Sequence, residues 1–264
     1  TINCVSQDKE GLIWLGTFDG LNRFDGYSFE VIRKRNKTSD LIIDNDGDIW
    51  ISVEEKGVYC FRVKERKLTY YQIKTTPGNL KGIALLAGKG DIIWVAPYSL
   101  PLLKINKKLQ RLEQFNISGN NSIFYETGEI GAMRFGLNDN ILIGTSQRGL
   151  LSVNTRDNTI KVLLEKDEFG VNIFVRDLIW IDKHTLWVGT ESGIYILNII
   201  THEFTNLRHQ NNIQHSISDN AIYSIHKDRE GGLWVGTYFG GIDYYSDQYK
   251  LFQKYYPREN LNSI

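Results

Sequence analysis

Several familiar markers of function are scarce or missing in this chain. Two cysteines, Cys4 and Cys60, among 264 residues exclude a disulfide-stapled scaffold, and both read as small buried hydrophobes. Lys and Arg together number 31, as do Asp and Glu, so no whole-protein field recruits nucleic acid or an anionic membrane surface. No apolar run reaches membrane-spanning length. Thr1 opens directly into patterned sequence without a charged start and apolar signal core, so the chain reads as an excised piece. A Gly-rich phosphate cradle followed by Lys is missing, and so is a helical HxxxH pair. No cofactor or metal is expected, and His184, His202, His209, His215 and His226 read as surface residues.

What the chain does have is glycine, aromatics and regularity. With 24 Gly, 14 Tyr, 6 Trp and only 4 Pro, it suits many short strands joined by tight turns. Aligned on the Trp of IWLGT, the sequence repeats at Trp14, Trp50, Trp94, Leu142, Trp187 and Trp234. The spacings are 36, 44, 48, 45 and 47 residues, the length of one propeller blade. Each copy carries an apolar or alternating segment, then usually an Asp/Asn/Gly turn such as Asp8-Lys9-Glu10-Gly11, Asp44-Asn45-Asp46-Gly47 or Asp228-Arg229-Glu230-Gly231. The Trp strand follows, then a short connection ending in Gly in five copies, then a third and a fourth strand.

Four strands per copy cannot cover both of their own apolar faces, so the expected fold is all-β, a propeller of four-stranded blades stacked face to face. The blades are expected at about 1–36, 37–78, 79–124, 125–170, 171–216 and 217–258, with 259–264 leading into a further repeat. The repeated Trp reads as a packing residue between blades, and the Gly-Thr pair after it as a strand-end feature. Copy three, with Ala96-Pro97 in place of Gly-Thr, and copy four, with Leu142 in place of Trp, mark the least symmetric places.

The segments DKEGLIWLGTFDGLNRFDG, DREGGLWVGTYFGGIDYY and HTLWVGTESGIYILN resemble the two-component regulator propeller repeat of hybrid histidine kinase sensors from Bacteroides-type gut bacteria. The resemblance runs over essentially the whole chain. It implies a seven-bladed propeller, with a closed six-bladed ring as the alternative. It further implies an adjoining propeller, an immunoglobulin-like domain, a homodimeric, membrane-anchored parent with its sensor on the periplasmic side, and a glycan or oligosaccharide as the signal for polysaccharide use.

Antiparallel topology puts the first-to-second and third-to-fourth turns on one face, and the second-to-third and between-copy connections on the other. The longer connections lie on that second face, where recognition is expected. It carries Phe18 and Asp19, then Glu54, Glu55 and Lys56, then Tyr98, then Gln147 and Arg148, then Glu191, then Tyr238 and Phe239. Aromatic rings stacking on sugar C–H faces, with polar side chains bonding hydroxyls, are the chemistry of a carbohydrate site. Arg148 offers a donor fork for an acidic glycan. A protein-binding or dimerisation scaffold is the alternative, and an enzyme using Glu54 or Glu55 with Glu191 is a third. No kinase module is present in the chain itself.

Overall fold

A computed structural model describes residues 1–75, 80, 82–118, 121–246 and 251–255. The ENLNSI segment at 259–264 lies outside them. The chain divides into two compact units, Thr1–Ile130 and Gly131–Ile264. Among the described residues, strands form six four-stranded antiparallel sheets, each ordered as the chain runs.

In the first unit, sheet 1 holds β1 (Ile2–Gln7), β2 (Ile13–Thr17), β3 (Gly20–Phe24) and β4 (Phe29–Lys34). Sheet 2 holds β5 (Thr38–Ile43), β6 (Ile49–Val53), β7 (Gly57–Arg62) and β8 (Lys67–Gln72). Sheet 3 holds β9 (Ala84–Ala87), β10 (Ile92–Ala96), β11 (Leu103–Asn106) and β12 (Arg111–Gln114). The second unit has sheet 4 with β13 (Ile130–Phe135), β14 (Ile141–Thr145), β15 (Leu150–Asn154) and β16 (Thr159–Leu164). Sheet 5 has β17 (Val175–Trp180), β18 (Thr185–Thr190), β19 (Gly193–Asn198) and β20 (Phe204–Leu207). Sheet 6 has β21 (Ile222–Lys227), β22 (Leu233–Thr237), β23 (Ile242–Ser246) and β24 (Leu251–Tyr255).

Within each unit the sheets stack face to face, the first strand of one against the first or second strand of the sheet before it. Trp14, Trp50 and Trp187 fill these seams. Trp14 packs on Phe61 of sheet 2 with ring centroids 5.9 Å apart, and Trp187 on Tyr245 of sheet 6 at 5.1 Å. Where Leu142 replaces Trp, the seam is aliphatic, with Val175, Leu178 and Leu186 of sheet 5. Trp180, outside the repeat motif, ties the same two sheets through its indole N–H to the Phe135 carbonyl, at 2.8 Å.

The Gly of the Gly-Thr pair belongs to the same seams. A methyl group at Gly16 would lie 2.3 Å from Cys4 Sγ of its own sheet and 2.7 Å from Thr38 Cγ2 of the next, and one at Gly144 2.4 Å from Val175 Cγ1, so a side chain at either would push these neighbours away. Its Thr closes the following turn: the hydroxyls of Thr17, Thr145, Thr190 and Thr237 donate to the carbonyls of Gly20, Gly149, Gly193 and Gly241. Sheet 3, lacking both residues, turns instead through Ser99 at φ 44°, bonded to Gly128.

Three turns share a device that joins turn to core. Asp8, Asp44 and Asp228 each use one carboxylate oxygen to accept backbone N–H groups across their Asp-x-x-Gly turn. The other oxygen accepts the indole N–H of Trp14, Trp50 or Trp234, at 2.8, 2.9 and 3.0 Å. The turns need Gly11, Gly47 and Gly231 at φ near +90°, which explains the residue choice.

Candidate functional site

In sheets 1, 2, 3, 5 and 6 the connections between second and third strands meet the starts of the first strands at one end, because each first strand begins opposite the last residue of the second. At that end four first strands share an irregularity. The register slips by one residue between Ile2 and Cys4, Thr38 and Asp40, Val175 and Asp177, and Ile222 and Ser224. The extra residues are Asn3, Ser39, Arg176 and Tyr223. A bulge re-aims one side chain and often marks a working surface. Beside two of them an Asp holds the next sheet: Asp40 accepts Leu85 N–H at 2.8 Å, and Asp177 accepts Ile225 N–H at 2.9 Å.

The connections are pinned to these strand starts by a recurring bond. The N–H of Phe18, Glu54, Glu191 and Tyr238 donates to the carbonyl of Thr1, Lys37, Phe174 and Ala221 respectively. The residue after the second strand is therefore fixed beside the bulge.

In the second unit this arrangement gathers a connected cluster. Arg176 binds Glu191 Oε1 through Nε at 2.7 Å and through a terminal nitrogen at 2.5 Å. Its guanidinium lies over Phe174 at 3.8 Å and over Tyr223 at 4.8 Å. Tyr223 stacks on Tyr238 at 5.4 Å, and Phe239 meets Tyr238 edge-on at 4.3 Å. Phe239 N–H is fixed by Asp219 at 2.9 Å. Tyr223, Tyr238 and Phe239 stay 47%, 57% and 87% exposed, an aromatic shelf held rigid and left open to solvent.

The first unit repeats the chemistry with other residues. Lys37 pairs with Glu54 at 2.8 Å and stands 5.3 Å from the exposed ring of Phe18. Asp19 accepts the Arg35 backbone N–H at 3.3 Å, and the Lys56 carbonyl accepts Tyr70 OH at 2.7 Å. Tyr98 is exposed beside buried Pro97. Gln147 is exposed, and Arg148, singled out from sequence for an acidic glycan, is ion-paired to Glu165 at 3.0 Å. Of the expected residues, Glu191, Tyr238 and Phe239 come together in one unit, and Phe18 and Glu54 in the other. Arg176, Tyr223, Phe174 and Lys37 were not foreseen.

A cleft of about 440 Å³ opens at the opposite end, between the short turns of sheets 2 and 3. Its lining opposes Arg62, Lys64, Lys107 and Lys108 to Asp46, Asp48, Glu65 and Asp91. Lys107 bonds Asp44 at 2.9 Å and Asp46 at 2.6 Å, so this polar centre fastens one sheet to the next. Burial raises the Asp48 carboxyl above its usual range, with nearby Asp44 adding to it, and burial pushes the Cys60 thiol up to about 12. Among the described residues no group of His, Cys, Asp and Glu is placed to hold a metal ion.

The extracellular domain of a hybrid two-component system from B. thetaiotaomicron superposes on 100% of this chain and 34% of its own, with a TM-score of 0.75 at 22% identity. A virginiamycin B lyase from Staphylococcus aureus aligns over 95% of this chain and 82% of its own, with a TM-score of 0.71 at 13% identity. The fold is a β-propeller. The two-component regulator propeller model matches residues 1–19 and 216–239. The Formosa agariphila protein Histidine kinase P4 is 47% identical over 38 residues, 14% of this chain and 3% of that one. The chain has a propeller fold and matches the two-component regulator propeller model near both of its ends, and it spans about a third of the solved sensor domain and a small part of the curated kinase.

Proposed function

We propose that this propeller is the extracytoplasmic, ligand-recognising region of a hybrid two-component histidine kinase, and that it binds an oligosaccharide at the end carrying the first-strand bulges. The observation that carries the reading is the open shelf of Tyr223, Tyr238 and Phe239 beside the Arg176–Glu191 pair. Fixed rings offer contact area at little entropic cost, and the ion pair supplies the polar groups that orient a sugar. The unit 1 group of Phe18, Lys37 and Glu54 offers the same kinds of contact. The kinase activity, control of polysaccharide-use genes, the adjoining propeller, the immunoglobulin-like domain, the homodimer and periplasmic exposure belong to this proposal for the parent protein. The propeller itself is assigned no catalytic step.

The test is a thermal-shift screen of the chain against oligosaccharides from plant, host and microbial polysaccharides. Specific binding raises the apparent stability by mass action. One saccharide family is expected to raise Tm in a dose-dependent way, and Tyr238→Ala with Phe239→Ala to weaken that binding by about tenfold or more. A folded protein that answers no saccharide, or binding indifferent to both substitutions, sinks the assignment.

The face of sheet 1 turned away from sheet 2 favours a further blade in the same proposal. Val5, Val31 and Phe29 lie on it, 60%, 48% and 66% exposed. A seventh four-stranded blade is the expected cover.

A further inference from the structure

Resting on the saccharide reading above, we infer that the unit 2 site selects an uncharged sugar, one hydroxyl donating to the Glu191 carboxylate while the sugar ring lies on Tyr238, and that it rejects uronate and sulfated sugars. The Arg176 charge is already answered. Both of its bonds to Glu191 reach the same oxygen, Oε1, at 2.7 and 2.5 Å. The pair is also fixed in place, since Glu191 N–H is bonded to the Phe174 carbonyl and the guanidinium rests on the rings of Phe174 and Tyr223.

An anionic sugar meets two obstacles here. To take the Nε edge of the guanidinium it would displace Glu191 and lose two charge-assisted bonds, and at any other edge it meets a charge already neutralised by Glu191. The displaced carboxylate then stays nearby, tethered through its own backbone, and Asp219 adds a second one where it holds Phe239 N–H. Like charges brought together cost affinity, which is how a site refuses a ligand as well as accepts one. An uncharged sugar meets neither obstacle. Its hydroxyl is both donor and acceptor, and Glu191 presents its second oxygen to accept. The exposed parts of Tyr238 and Phe239 supply the apolar contact.

The experiment is isothermal titration of the chain and of Glu191→Gln with two sets of oligosaccharides. The neutral set comes from β-glucan, xylan, mannan, galactan, arabinan and starch, and the acidic set from pectate, alginate, chondroitin and heparin. The expected result is binding of a neutral saccharide whose affinity changes by less than about twofold between ~50 and ~500 mM salt. Glu191→Gln, with its melting curve recorded to show that it is folded, is expected to weaken that binding by about tenfold. An acidic saccharide that binds most tightly, with affinity falling about tenfold or more across the salt range, overturns the inference and leaves the saccharide reading standing. Neutral binding untouched by Glu191→Gln also overturns it. Silence from both sets, with folded protein, removes the saccharide reading and the inference together.

Discussion

Asp8, Asp44 and Asp228 show how much one side chain can do when its two oxygens face different ways. One oxygen closes a turn on the surface, and the other holds a Trp indole in the seam between sheets. Asp44 carries the larger share, because it is buried and also pairs with Lys107. Asp44→Ala is expected to cost about 2–3 kcal/mol, since it leaves the Trp50 indole and two backbone N–H groups unpaired and takes one of two carboxylates from Lys107. Asp8→Ala, in a more open setting, should cost about 1–2 kcal/mol. Urea denaturation of the two variants checks this, and equal losses would sink the account. In sequence the three Asp residues were legible as turn formers. Their hold on a Trp six positions later was not, because that bond depends on strand register, which places the indole back beside the turn. Arg176 and Tyr223 escaped for a related reason. Strict alternation assigns every strand residue to a face, and neither a Gly nor a Pro announces these bulges.

At the scale of the strand pair, the Gly-Thr step is an interlocking part. The threonine closes the next turn, and the glycine leaves room for the first strand of the following sheet. At Gly144 the missing methyl would lie only 2.4 Å from Val175 Cγ1 of the next sheet. Gly144→Ala is expected to destabilise the second unit by about 1–3 kcal/mol through overpacking. Chemical denaturation measures the loss, and Val175→Ala in the same chain should recover part of it by opening space. Failure of that recovery would place the cost elsewhere. The sequence reading saw the pair as a strand end, which describes the threonine well. It could not see the neighbour across the seam, since Thr38 lies 22 positions after Gly16 and Val175 31 positions after Gly144, each in another repeat.

For the whole molecule, repetition made the architecture legible. Six copies at near-constant spacing, each too small to bury its own faces, lead to stacked four-stranded sheets, and six such sheets are present among the described residues. The site was half legible: loop residues could be located by topology, whereas their partners came from strand starts. If a seventh blade covers sheet 1, a chain extended through the next repeat should melt higher by at least about 5 °C. An unchanged Tm would favour the six-sheet form as complete. The bulges also bear on how side chains are divided along the repeat. At the extra position the repeats write Asn3, Ser39, Arg176 and Tyr223, four unrelated chemistries, while the neighbouring position keeps its fastening role in Asp40 and Asp177. Surface chemistry and construction thus occupy adjacent letters of the sequence. The side chain at a bulge can be rewritten, one sheet at a time, without touching the bonds by which Asp40 and Asp177 hold the next sheet upright.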